Sequence, residues 1–224
     1  MAAHRLLRDA LRRAAPDDEA SQTHEECPVL AFDTSAAHCA VALLLPGGRV
    51  IAREEPMQKG QAERLVPMLQ EVLAEAGIGW ADLARIAVGT GPGNFTGVRI
   101  AVATARGLAL ALGLPAVGVT WLEALAHGVP SPCRVVEDAR QGLAYVQDFP
   151  GGAARLVPLA ALEAAAGAVT GSAAGLAALP AALPIAEAIA RIAATRAPKG
   201  SPAPFYLKGA DAAPPSDPPP VILP

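Results

Sequence analysis

Gly89-Thr90-Gly91-Pro92-Gly93-Asn94-Phe95-Thr96-Gly97-Val98-Arg99 joins two different sequence patterns. Upstream, Arg85-Ile86-Ala87-Val88 is short and β-branched and reads as a buried strand. Downstream, Val98 to Leu112 carries helical spacing and good helix formers. A glycine-rich turn between strand and helix lets its backbone come close to something, either an anion on the helix N-terminus or another backbone. Thr96 reads as the N-cap, its hydroxyl on free N–H groups of the first turn. Arg99 opposes the helix dipole, so it needs a carboxylate partner or a ligand. Asp33, at the end of the first strand, is the carboxylate expected beside it.

Working outward, Val29-Leu30-Ala31-Phe32 reads as a strand ending in the polar triplet Asp33-Thr34-Ser35. Ala40 to Leu45 and Arg49 to Glu54 read as two more strands joined by Pro46-Gly47-Gly48, an antiparallel meander. From Ala62 to Ala76, Leu65, Met68, Leu69, Val72, Leu73 and Ala76 recur at steps of three and four, which predicts a helix closed by Gly77. After the helix that follows the glycine loop, Gly113-Leu114-Pro115 is a stop and Ala116 to Val119 a fifth strand. The order is βββαβαβ.

The rest of the chain repeats this order in weaker form. Trp121 to His127 reads as a linking helix. Arg134 to Glu137, Leu143 to Phe149, Arg155 to Val157 and Ala168 to Gly171 read as strands, and Ala160 to Ala166 and Ile185 to Thr195 as helices. From Ala197 the chain is proline-rich, with Phe205-Tyr206-Leu207 as its anchor into a core. Two such halves imply an α/β fold of actin/sugar-kinase/Hsp70-like type, two duplicated βββαβα lobes of which the second is reduced. The expected division is a disordered or weakly helical extension at residues 1–26, a first lobe at 27–119 and a second lobe at 120–224. In this architecture Asp33-Thr34-Ser35 stands where a phosphate-facing turn would be; the same triplet equally suits a plain strand end.

Composition narrows the chemistry. Hydrophobic residues make up 52% of the chain and much of this is alanine, which favours close packing over a bulky aromatic core. Aromatics are 4% and the net charge is −3, so the chain does not hold RNA by stacking or bulk electrostatics. Cys27, Cys39 and Cys133 form neither a CxxC pair nor a zinc spacing, and with no secretion signal they suggest a reducing cytoplasm. His4, His24, His38 and His127 make no HxxxH or HExxH pair, so no metal site is expected. Gly97 to Leu112 comes closest to a membrane span, but Arg99 and Arg106 interrupt it.

Leu30-Ala31-Phe32-Asp33-Thr34-Ser35, Ala62-Glu63-Arg64-Leu65-Val66-Pro67-Met68-Leu69, the loop from Gly89 to Arg99, and Asp138-Ala139-Arg140 together resemble the TsaB (YeaZ) family. The resemblance runs from about Val29 to Tyr145, with an echo at Pro204-Phe205-Tyr206-Leu207-Lys208. It implies a non-catalytic dimerization subunit of bacterial tRNA threonylcarbamoyladenosine biosynthesis. Such a subunit pairs with TsaD, the homologue that holds the metal and transfers the group, and is joined by the ATPase TsaE. It further implies a cytoplasmic protein that meets tRNA only through the complex, with no membrane. No catalytic residue and no metal or cofactor of this chain's own is expected, and any nucleotide would lie at the TsaD interface.

The catalytic homologue needs two histidines on its first helix, where this chain offers Gln61, Arg64 and Leu65. Asn94 replaces the family's usual loop serine. The loop and cleft residues implied are Asp33, Thr34, Ser35, Gly91, Gly93, Thr96, Arg99, Asp138 and Arg140. The stripe of Leu65, Met68, Leu69 and Val72 and the small ridge of Gly97, Ala101, Ala105 and Ala109 are expected to form a helical interface with TsaD or a second copy. The ridge would equally serve packing inside its own lobe. Competing expectations are an ATP-binding or peptidase-like enzyme of the same fold, with Asp33 and Asp138 facing each other, and a sugar or acetate kinase.

Overall fold

The computed structural model describes residues 27–176 and 178–209; the expectations for residues 1–26 and for the end of the proline-rich tail lie outside them. The chain runs β1 (Val29–Asp33), β2 (His38–Leu44), β3 (Val50–Pro56), α1 (Gln61–Ala76), β4 (Arg85–Gly89), α2 (Phe95–Leu112), β5 (Ala116–Val119) and α3 (Trp121–Ala126). It continues β6 (Cys133–Asp138), β7 (Leu143–Phe149), β8 (Arg155–Pro158), β9 (Ala168–Thr170) and α4 (Ile185–Thr195).

Two sheets form. The first has the order β3-β2-β1-β4-β5 and the second β8-β7-β6-β9. In the first, β1 pairs antiparallel with β2 and parallel with β4, and β4 is parallel to β5. In the second, β6 pairs antiparallel with β7 and parallel with β9. Among the described residues, the second sheet therefore repeats the first without its fifth strand. This is the duplicated actin/sugar-kinase/Hsp70-like fold with one reduced lobe.

Strand alternation sorts the side chains of the first sheet. Leu30 and Phe32 of β1, Val41 and Leu43 of β2, and Ile86 and Val88 of β4 face α1 and α2. Ala31, Ala40, Ala42 and Ala87 face the opposite way, with Ala188, Ile189 and Ala193 of α4 in the same cluster. Small side chains on both surfaces let α4 lie close to the sheet, which is where the chain's alanine goes. Although α4 follows the second sheet in sequence, it covers the first. That cluster also takes in Val135, Ala139 and Tyr145 of the second sheet region, making one core continuous across both sheets.

Three local expectations change. Ala160 to Ala166 is not an α-helix: a single 3-10 turn, Leu159–Ala161, stands there. Seven residues are too few to nucleate a helix without packing, and Leu162 alone of that stretch joins the small second-sheet core. The N-cap of α2 is Asn94, whose side chain accepts the Gly97 N–H at 2.9 Å; Thr96 is already inside the helix. Starting at Phe95, α2 reaches 18 residues and is long and apolar enough, by length and composition, to cross a bilayer. Here it packs on the first sheet through Val98, Ala101, Val102 and Ala105.

Candidate functional site

The glycine loop answers to another backbone. A Cβ on Gly97 would stand 1.9 Å from the Thr34 carbonyl oxygen, and one on Gly93 would stand 2.4 Å from that of Ser35. The Asn94 N–H donates to Ser35 O at 2.6 Å, and the Thr34 hydroxyl donates to Gly97 O at 2.7 Å. The loop thus lies directly on the Asp33-Thr34-Ser35 turn, and Asn94 occupies the helix N-terminus.

The turn is closed on itself as well. Asp33 Oδ1 accepts the Ser35 N–H at 2.8 Å and the Ser35 hydroxyl at 2.9 Å, and lies 2.9 Å from His38 Nε2. Asp33, Thr34 and Ser35 are all buried. A nucleotide is the ligand that this fold implies, but the turn fits its phosphates poorly, because the Thr34 and Ser35 hydroxyls and the Ser35 N–H already donate inside the protein. Ser35 does not form a nucleophile–base pair with His38 either, since both contact the same oxygen of Asp33.

His38 sits between two carboxylates, with Nδ1 3.4 Å from Glu54 Oε1. Burial disfavours its charge, but hydrogen bonds and fields from Asp33 and Glu54 prevail, and its pKa is raised. Its ring lies 5.6 Å from that of Trp121. Cys39, next in β2, is an inert thiol pushed up to about 11, chiefly by burial.

Arg99 does not pair with Asp33. It is exposed, with its guanidinium 3.8 Å from the Phe95 ring centroid and its Nε donating to the Tyr206 hydroxyl at 3.1 Å. Phe95 and Tyr206 rings lie 4.9 Å apart. One turn into α2 the side chain points outward, while Asp33 is sealed at the end of an inner strand, so the two never meet.

The interface expectation also changes. Leu65, Met68, Leu69, Val72, Gly97, Ala101 and Ala105 are buried in their own lobe and offer no surface, and Ala109 is half-buried. The same 3.6-residue period that marks an interface marks a core face, and here the sheet takes it. The outward face carries Val66, Pro67, Ala103, Gly107, Leu110 and Ala111. Leu110 is 86% exposed.

Between the lobes lies a cleft of about 640 Å³. Of the loop and cleft residues, Ser35, Gly93, Thr96, Asp138 and Arg140 line it, whereas Asp33, Thr34, Gly91 and Arg99 do not. Asp33 and Asp138 therefore do not face each other. Asp138 Oδ1 accepts the Arg140 N–H at 2.8 Å in a turn where Arg140 and Gln141 both have positive φ. Trp121, Glu137, Tyr145 and Lys208 also line the cleft and were not singled out for it from the sequence. The segment Phe205-Tyr206-Leu207-Lys208 carried the available signal, an apolar and aromatic island in a proline-rich tail. It crosses the cleft, with Phe205 N–H donating to Thr90 O at 2.8 Å and Lys208 Nζ to Gln141 Oε1 at 3.1 Å.

Gln61, Arg64 and Leu65, the positions that the resemblance implies for a metal-binding histidine pair, are committed elsewhere. Gln61 donates to Met57 O at 3.2 Å, Arg64 bridges Glu55 and Glu71, and Leu65 is in the core. Among the described residues, no three His, Cys, Asp or Glu side chains gather in a metal-binding group.

Fold and site define a duplicated-lobe protein whose first-lobe turn is closed by its own glycine loop. The family model described as "TsaD: tRNA N6-adenosine threonylcarbamoyltransferase" matches residues 55–213. A Pseudomonas aeruginosa protein described as similar to the peptidase YeaZ superposes with a TM-score of 0.69 at 29% identity, over 81% of this chain and 100% of that one. YeaZ from Pseudomonas aeruginosa superposes at 0.62 and 30%, over 75% and 90%. The tRNA threonylcarbamoyladenosine biosynthesis protein TsaB of Escherichia coli K12 is 39% identical over 126 residues, 54% of this chain and 54% of that protein. Its Haemophilus influenzae counterpart is 41% identical over 99 residues, 44% and 42% of the two. The chain thus spans about half the length of these curated relatives. It belongs to the TsaD-related proteins and, within them, to the TsaB (YeaZ) family.

Proposed function

We propose that this chain is a non-catalytic subunit in tRNA threonylcarbamoyladenosine biosynthesis, pairing with a TsaD-like homologue and serving a TsaE-like ATPase. It would act in the cytoplasm, hold no metal of its own and meet tRNA through the complex. The observation that carries this is the closed turn: Thr34 and Ser35 are spent on Gly97, Asn94 and Asp33. The similarity to TsaB proteins gives that closed scaffold its biological setting.

The docking face in this proposal is the outward side of α1 and α2, with Val66 40% exposed and Leu110 standing out from a strip of small residues. Apolar side chains exposed on two neighbouring helices suit a helical partner, either TsaD or a second copy. A nucleotide at such an interface belongs to the assembled complex. The peptidase-like alternative lacks a nucleophile–base pair at Ser35.

The test is co-purification with the TsaD homologue of the same genome, followed by tRNA modification assays on each protein alone and on the pair. Co-elution, with modification only when TsaD is present, is expected. Turnover by this chain alone, or no association with TsaD with and without nucleotide, would overturn the proposal.

A further inference from the structure

The cleft between the lobes has a lining that the subunit role does not use. With Phe 4, Trp 2 and Tyr 2 the chain has few aromatic residues, yet Phe95, Trp121, Tyr145, Phe205 and Tyr206 all line this one space. Within it, Glu137 is half-buried at the end of β6. Its Oε2 accepts the Ser172 N–H at 2.9 Å, and among the described residues no cation pairs with it. Burial pushes its pKa up, and contacts with Ser172 and Trp121 only partly offset that cost. The indole Nε1 of Trp121 is itself buried without a well-formed hydrogen bond. A desolvated carboxylate and an under-satisfied N–H thus stand together at one side of a space of about 640 Å³, a volume suited to a small molecule.

Two basic residues line the same cleft. Arg140 lies in the turn three residues after Glu137, and Lys208 is tied to that turn through Gln141 Oε1 and Ala139 O. With Asp138 also lining the cleft, two carboxylates are matched by two cations. A ligand bearing both signs of charge finds an acidic and a basic group on this lining.

We propose that the cleft binds a small zwitterion of the amino-acid type, its ammonium between Glu137 and the Trp121 ring and its carboxylate toward Arg140 and Lys208. The ammonium supplies a cation that Glu137 lacks among the described residues and gains the attraction of an aromatic face. The carboxylate end is fixed by charge-assisted hydrogen bonds. Nucleotides are a different class, because the Thr34 and Ser35 hydroxyls that would face their phosphates donate inside the closed turn.

Isothermal titration of the full chain tests this with glycine, L-glutamine and 4-aminobutyrate as zwitterions, agmatine as a cation, acetate as an anion, and ATP. Saturable one-to-one binding of at least one zwitterion is expected, with agmatine and acetate weaker by roughly tenfold or more, about 1.4 kcal/mol each. Glu137→Gln keeps an acceptor for the Ser172 N–H and should weaken the zwitterion by a similar factor at unchanged Tm. Arg140→Gln should weaken the zwitterion and leave agmatine as it was. In a Trp80→Phe background, Trp121 fluorescence should shift on titration. No saturation by any zwitterion at millimolar concentration, equal binding of all charge types, ATP alone binding, or unchanged affinity in Glu137→Gln would each overturn the assignment. Should Glu137→Gln fail to fold, the comparison of charge types on the unaltered chain still decides.

Discussion

Asp33 and Gly89 compete for one volume: a Cβ on Gly89 would stand 1.8 Å from Asp33 Oδ2. That oxygen is buried and has no hydrogen-bond partner, while its twin on the same carboxylate serves Ser35 and His38. The absence of a side chain at position 89 is what lets the carboxylate lie flat at the end of β1. Gly89→Ala would drive Asp33 out of place and open the whole turn. A loss of about 1–3 kcal/mol is expected, read from urea denaturation. Asp33→Ala in the same chain should recover part of it. If Gly89→Ala is neutral, the turn is not held in this way.

His38 supplies the pH dependence. Its pKa is raised in the folded chain by Asp33 and Glu54, against the opposing effect of burial. A raised value means that stabilisation is fully present below the unfolded value near 6.5 and is lost as pH rises through the folded one. Thermal stability should therefore fall as pH climbs from about 6.5 upward, and His38→Asn should flatten that slope. Identical slopes in the two proteins would remove His38 from the account.

How much of this was legible depends on how local the cause is. β1 to β5, α1 and α2 each carry their own signal: alternation in Cys39-Ala40-Val41-Ala42-Leu43, a helical stripe in Leu65 to Leu73, and glycine at both C-caps. The place of α4 is not local. Nothing in Ile185 to Thr195 says that it crosses back to the first sheet; that follows from alanines at positions 31, 40, 42 and 87, far away in sequence. The site shows the same division. Gly93 and Gly97 signalled a close approach, but only the fold shows that the neighbour is the backbone of Thr34 and Ser35. Arg99 looked anomalous beside a helix N-terminus, and its partners, Phe95 and Tyr206, include one 107 residues away.

The two faces of α2 separate core from surface. At Gly107 a Cβ would meet nothing within 4 Å, so Gly107→Trp should leave Tm unchanged or slightly raised while abolishing association with TsaD. Ala101 is fully buried, and Ala101→Leu should cost about 1–3 kcal/mol of stability by overpacking. Gel filtration and calorimetry on both variants check this. A Gly107→Trp chain that still binds TsaD would move the interface to another surface.

Arg99 is an exposed cation on an aromatic face, so Arg99→Ala should cost only about 0.5–1 kcal/mol. A double-mutant cycle with Phe95→Leu should return a coupling of that order, and the cycle with Asp33→Asn should return none. Coupling to Asp33 would mean that the two residues meet in solution after all.

Arg85 is the buried cation whose loss should be felt most widely. It opens β4, is 8% exposed, and has no carboxylate partner among the described residues. Its Nη1 donates to the carbonyl of Arg196 at 2.7 Å and to that of Ala193, at the C-terminus of α4. Those carbonyls are the acceptors that a helix end leaves over, and the negative end of the helix dipole adds to the attraction. Burial lowers its pKa without threatening its charge at neutral pH. One side chain of the first sheet thus fastens the helix that the second half of the chain sends back. Arg85→Met keeps much of the volume and removes the donors. It should cost about 1.5–3 kcal/mol, the range for hydrogen bonds to a charged group. Hydrogen exchange locates the loss: amides of α4 should exchange faster in the variant, and those of α1 should follow only the global change. Equal acceleration in both helices, or none, would show that α4 is held by its alanine face alone.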